Sequence, residues 1–225
     1  MMNKGDFVVI DYLAKVKATG EYFDTTDEEK AKELGLLQED KTFKPVTVVV
    51  GANHVIEGLD EALEEMDVGE ERTVEVPPEK AFGRRDPNLV TTIPMREFSK
   101  QGIMPRRGMS LEVGGKWAIV KSVSSGRVTL DYNHSLASRD LVYDVKVLSK
   151  VEDTTEKLKS LIELHLGTFD ESNNSISIDE GGKATVTMPS LKKGLADIVK
   201  SILEKEVGTH VPEIKEIEVT TGSEE

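Results

Sequence analysis

A chain of 225 residues, 37% of them hydrophobic, is long enough for one large domain or two to three small ones with a real core. A net charge of −13 at pH 7 sets a surface field that repels phosphate backbones and anionic lipid, so nucleic acid is not an expected partner. The absence of cysteine removes disulfides, thiol nucleophiles and thiolate metal sites; with no apolar run of about eighteen residues and an acid before any apolar stretch, no membrane span is expected and the chain reads as cytoplasmic.

From Val8 to Val16 the residues Val8, Ile10, Tyr12, Ala14 and Val16 are apolar at a period of two, with Asp11, Lys15 and Lys17 on the other side, which predicts a half-buried strand turned at Thr19-Gly20. Phe23 to Thr26 closes a second short strand, and the acidic stretch Asp27 to Leu37 is loosely helical. The β-branched run Val46 to Val50 predicts another strand, stopped by Gly51. Ile56, Leu59, Leu63 and Met66 then share one face of a short helix that ends before Gly69. Thr73 to Val76 is a strand ended by Pro77-Pro78, since proline supplies no ladder donor.

After Ala81-Phe82-Gly83 the texture changes to several short strands between Leu89 and Leu130, with Gly114-Gly115 and Ser125-Gly126 as hairpin turns. Leu141 to Val147 alternates again and resembles the opening strand, as expected if it pairs back into the first sheet and the small β module between is an insertion. Asp153 and Glu156 stand at capping-box spacing before a helix bearing Leu158, Leu161, Ile162 and Leu166. Strands at 175–178 and 183–188 flank an Asp-Glu-Gly-Gly turn, Ser190 is the expected cap of a helix bearing Leu191, Leu195, Ile198, Val199 and Ile202, and Ile214 to Val219 is a last strand. The order αββαβ makes a domain small enough to be a candidate for dimerisation.

Generic catalytic constellations are absent: there is no G-x-S-x-G elbow, P-loop, G-x-G-x-x-G or H-E-x-x-H. His54, His134, His165 and His210 are scattered along the chain without the close spacing that lets two imidazoles share a metal, so neither a metal nor a cofactor is expected. The residues do spell a family. Phe23-Asp24, Val55-Ile56-Glu57-Gly58-Leu59, Val68-Gly69-Glu70, Pro77 to Gly83 and Tyr143-Asp144-Val145 resemble FKBP-type peptidyl-prolyl isomerases in order and spacing, and Asn133-His134-Ser135-Leu136-Ala137 resembles the return sequence of SlyD-like members, whose insert-in-flap domain interrupts the flap.

The resemblance covers about residues 1 to 150 and implies, for an α+β protein, a discontinuous isomerase domain of 1–85 with 131–151, an antiparallel half-barrel on a short helix, and an inserted β domain of 86–130; the αββαβ domain read from the residues of 152–225 resembles long archaeal members only in that they too carry an extra C-terminal domain. The resemblance implies catalytic roles for Asp24, Tyr12 and Phe82, and a proline pocket lined by Phe23, Val46, Val55, Ile56, Leu59, Leu136 and Tyr143. In such a hollow the twisted transition state, which has lost resonance and dipole, is stabilised more than the planar amide, and this lowers a barrier of about 18 to 20 kcal/mol. The Ile56 N–H, at a helix start, is expected to hold the substrate carbonyl. Two positions depart from the family: Leu59 stands where a tryptophan is common, and Phe82 where a tyrosine is usual, so macrolide binding is expected to be weak.

Taken singly, Tyr12, Val46, Leu136 and Tyr143 read as core residues, Leu59 as part of a helix stripe, Asp24 as a turn former and His134 as a loop hydrogen bonder. Arg84, Arg85, Arg106 and Arg107 read as solvated loop charge. In the insert, Phe98, Ile103, Met104, Met109, Val113 and Trp117 are more apolar than so small a module easily buries; about half of them read equally well as the module's own core, and by resemblance the rest form a chaperone surface for unfolded, proline-containing chains. The expected function is prolyl isomerisation with holdase activity; the alternative is an FKBP-fold chaperone or dimeric assembly module with little catalysis.

Overall fold

The computed structural model describes residues 1–38 and 41–221. Its contacts divide into two compact units, Met1–Val76 with Leu141–Glu225, and Pro77–Asp140. The first unit opens with β1 (Phe7–Val16), β2 (Tyr22–Thr25), α1 (Glu28–Glu33), β3 (Val46–Val49), α2 (Glu57–Glu64) and β4 (Glu71–Val76). The second holds β5 (Val90–Pro94), α3 (Met95–Ser99), β6 (Ser110–Val113), β7 (Lys116–Ser124) and β8 (Arg127–Asp131). The chain then returns with β9 (Leu141–Val151), α4 (Thr154–Leu166), β10 (Ser175–Ile178), β11 (Lys183–Met188), α5 (Lys193–His210) and β12 (Glu216–Thr221). Contact therefore groups a wider segment around the insert than 86–130, and joins the residues after 152 to the opening sheet.

The period of two in β1 drives Val8, Ile10, Ala14 and Val16 into the core of an antiparallel five-stranded sheet. Its order is β2-β1-β9-β4, with β3 also on β1. β9 pairs with β1 from Phe7↔Val151 to Val16↔Leu141, and with β4 from Glu71↔Lys146 to Val76↔Leu141. The chain thus leaves the sheet at Val76 and re-enters beside it at Leu141, which makes everything between an insertion. On α2, Leu59 and Leu63 are buried, as is Met66 just beyond it, each burial worth about 1.5–3 kcal/mol.

Asp153 caps α4 by accepting the Glu156 N–H at 2.9 Å, and Gly167, at φ 86°, ends it. β10, β11 and β12 form a second sheet in which β11 and β12 run parallel, joined by α5. Its core, with Leu158, Leu161, Ile162, Val186, Leu203 and Val207, also takes in Phe7 and Val49. Two expectations for α5 are corrected. The helix starts at Lys193 rather than under a Ser190 cap, because Leu191 is drawn into a turn by its N–H bond to Met188. Its buried stripe is Ala196, Val199, Leu203 and Val207, at three- and four-residue spacing, which leaves Leu195 and Ile198 exposed.

The second unit is a four-stranded antiparallel sheet, β5-β8-β7-β6. Gly114 and Gly115, and Ser125 and Gly126, all at positive φ, make the two hairpin turns. Helix α3, unforeseen in the sequence, is too short to show a period. It carries Phe98, which is 4% exposed and packs with Leu111, Ala118, Val120, Val128 and Leu130. Phe98 therefore belongs to the module's core and not to its surface, and Ile103 and Val113 lie half-buried against the same cluster. Met104, Met109 and Trp117 are exposed. Among the described residues no helix is long and apolar enough to cross a membrane.

Candidate functional site

Three neighbouring strands of the first unit bring three aromatic rings around one carboxylate. Tyr12, on β1, donates its hydroxyl to Asp24 Oδ2 at 2.9 Å. Tyr143, on the adjoining β9, lies 5.7 Å from the Tyr12 ring at a 55° tilt, and Phe23, on β2, meets Tyr143 edge-on at 6.0 Å. Asp24 Oδ1 accepts the Thr25 N–H at 2.9 Å and is also paired with the Lys41 ammonium. Burial, reinforced by the Asp24 charge, pushes both tyrosine hydroxyls far above their ordinary pKa, so they remain protonated donors. Both Asp24 oxygens are thus engaged.

The backbone beneath Tyr12 is clamped by residues that the sequence reading passed over. Thr26 Oγ1 accepts the Tyr12 N–H at 2.8 Å, while the Thr26 N–H and the Thr25 hydroxyl both bond to the Tyr12 carbonyl. Asp60 does the same for the loop leading to Val55 and Ile56: its carboxylate accepts the Gly51 N–H at 2.8 Å and the Asn53 N–H at 2.9 Å. The signal for Asp60 is its place on the apolar stripe of α2, four residues after Ile56 and three before Leu63, where a solvated acid does not belong.

Ile56 takes the N-cap position of α2 without a side-chain bond, beside a helix start whose first N–H groups lack intrahelical partners. Val46, Val55 and Ile56 are half-buried, and Leu59 is sealed at 1% exposure. Phe82 and Leu136 belong to the second unit. There Phe82 stacks on His134, with ring centres 4.0 Å apart and planes within 10°, and Leu136 is half-buried.

The same unit carries a buried polar staple between the chain entering the β module and the chain leaving it. Asn133 Oδ1 accepts the Asp86 N–H at 2.8 Å, and its Nδ2 donates to the Asp86 carbonyl at 3.1 Å and to Asp131 Oδ1 at 2.8 Å. Asp131 also pairs with Arg85. Burial alone would raise the Asp131 carboxyl, but bonds from Asn133 and Arg85 outweigh it and hold the pKa below the usual value. Arg85 thus has a structural partner instead of being free loop charge. The histidines are not scattered in space either: His54, His165 and His210 all approach Glu206.

An antiparallel sheet that is opened between two adjoining strands to admit a β module, and that carries an aromatic-ringed carboxylate on its strands, defines a class that sequence comparison makes specific. Residues 91–136 match the family model of the FKBP26 IF domain. Over 147 residues, 65% of this chain and 92% of the relative, it is 40% identical to the short-type peptidyl-prolyl cis-trans isomerase of Methanocaldococcus jannaschii. It is 32% identical over 117 residues, 48% of this chain and 76% of the relative, to a probable FKBP-type 16 kDa peptidyl-prolyl cis-trans isomerase of Pseudomonas fluorescens. A further relative, SlyD of Helicobacter pylori, is 32% identical over 122 residues, 51% of this chain and 64% of its own length. The chain belongs to the FKBP-type peptidyl-prolyl cis-trans isomerases, in the branch that carries an insert-in-flap domain, and is an isomerase enzyme.

Proposed function

We propose that Xaa-Pro bonds are turned at the cluster around Asp24 without covalent chemistry. The observation that carries this reading is the carboxylate fixed by Tyr12 and ringed by Phe23 and Tyr143. Rings of this kind exclude water and favour the less polar, twisted amide over the planar one, whose uncatalysed exchange takes tens to hundreds of seconds. With both oxygens engaged, Asp24 is positioned to orient or polarise the amide. Val46, Val55 and Ile56, all half-buried, supply the apolar remainder; Leu59, Phe82 and Leu136 enter this reading on the family pattern alone. Exchange NMR on a proline peptide tests it: an Asp24→Leu variant is expected to lose at least tenfold in rate, about 1.4 kcal/mol of transition-state stabilisation. Equal rates in the two proteins would remove Asp24 from the mechanism.

The inserted unit is the proposed holding surface for unfolded chains. Its support is the exposure of Met104, Met109 and Trp117, 74%, 41% and 68%, on a module that already has a core of its own. A chain held there has its prolines at raised local concentration. Replacing all three by alanine is expected to slow proline-limited refolding of a protein substrate while leaving tetrapeptide turnover unchanged; equal losses on both would remove the holding role. Pairing of two copies through α5 rests on the exposed Leu195 and Ile198. A chain that sediments as a monomer at every concentration would end that reading.

A further inference from the structure

Three histidines that lie far apart in sequence meet at one glutamate within the first unit. His54 sits in the loop between β3 and α2, His165 in the last turn of α4, and His210 at the end of α5, one turn after Glu206. His54 Nε2 is 3.2 Å and His210 Nε2 3.8 Å from Glu206 Oε2, while His165 Nε2 is 3.7 Å from Oε1. The side chains of His54, Glu206 and His210 are 8%, 17% and 16% exposed, and one ligand atom from each lies within 4.8 Å of the other two.

We propose that His54, Glu206 and His210 bind one divalent transition-metal ion of the zinc class, with His165 at the other oxygen of the same carboxylate. A tetrahedral centre with bonds of about 2.0–2.1 Å spaces its ligand atoms by about 3.4 Å. The two nitrogen-to-oxygen distances of 3.2 and 3.8 Å fall on either side of that spacing. Imidazole with a single carboxylate selects zinc, cobalt, nickel or copper over magnesium and calcium, which take all-oxygen sets. The ligands come from the opening sheet's loop and from α5, so the ion ties these two parts of the unit together. His54 is followed directly by Val55 and Ile56, which places the tie at the approach to α2.

The geometry of His54 supplies a reporter. His54 Nδ1 accepts the Val49 N–H at 3.2 Å, so the neutral ring carries its proton on Nε2, facing Glu206. Metal on Nε2 moves that proton to Nδ1, where it opposes the Val49 N–H, and the bond is given up. A cluster that merely hydrogen-bonds would keep it.

Titrating the full, untagged chain with Co2+, and with Zn2+ in competition, tests the proposal. The expected result is one equivalent bound, the intense visible bands of four-coordinate cobalt, a shifted Val49 amide resonance and a raised melting temperature, since the ion binds only the folded chain. The His54→Ala, His210→Ala double variant and the milder His210→Gln should each weaken binding at least 100-fold, while His134→Gln, in the other unit, leaves it unchanged. Equal affinities in the wild type and the double variant would overturn the proposal. So would a Val49 amide that does not move at saturating Zn2+, a reading on the unaltered chain that does not depend on a variant's folding.

Discussion

Asp24 is reached from three directions, by the Tyr12 hydroxyl, by its neighbour's N–H and by Lys41. Tyr12→Phe removes the first and leaves the other two, so its cost sits near the low end for a bond to a charged group, about 1.5 kcal/mol. Urea unfolding should show this as a lower midpoint at unchanged slope, with turnover of a proline peptide down roughly threefold to tenfold because Asp24 is less firmly held. The Asp131 staple gives a prediction with a pH sign. Its folded pKa is lowered, so its stabilisation is complete above the unfolded value of about 3.9 and is lost as pH falls through the folded one. Asp131→Asn should therefore cost about 2 kcal/mol at neutral pH, and the gap to the wild type should close in strong acid. Phe23 and Asp24 were legible in the sequence because the family spells them. Thr26 and Asp60 were not, since what they do is bond to backbone groups brought near by strand pairing and by a turn.

Strands and turns are legible where local chemistry alone decides them. β1 and β9 alternate, and each hairpin of the second unit turns on a glycine pair or Ser-Gly that tolerates positive φ. Stripes on helices are harder, because several registers fit one composition: α5 offers Leu195 and Ile198 as readily as Val199 and Leu203, and only the packing partner chooses. The turn into β11 shows what a contact adds to a local rule. Gly182 has φ +85°, and a Cβ there would lie 2.6 Å from the Glu213 carbonyl oxygen, whereas Gly20, at φ +69°, faces open space. Gly20→Ala should cost only the backbone part, about 1 kcal/mol, and Gly182→Ala about 2 kcal/mol or more, because the Glu213 backbone must move. Chemical denaturation of the two variants side by side measures the difference; equal losses would mean that the Glu213 contact relaxes freely.

At the scale of the molecule the insertion was legible, since a strand that resembles the first one closes the sheet left open at Val76. The joining of the residues after 152 to that sheet was not. Phe7 shows why: it stands out of phase with Val8 and Ile10, on the side of β1 that farther along presents Asp11 and Lys15, where alternation assigns water. Phe7 and Val8 are nonetheless both buried, as are their partners Val49 and Val48. This end of the sheet is covered on both faces, and Phe7 and Val49 lie in one core with α4, α5 and β11. A chain ending at Val151 must return both side chains to water at about 1.5–3 kcal/mol each, so it should be less stable than the full chain by about 3–6 kcal/mol. In the full chain, Phe7→Ala should lower the melting of the sheet and of α5 together, because both draw on that core. Calorimetry alongside circular dichroism decides it: a single shifted transition is expected for the first unit, and a variant that melts α5 alone while the sheet keeps its wild-type midpoint would mean that the shared core does not couple them.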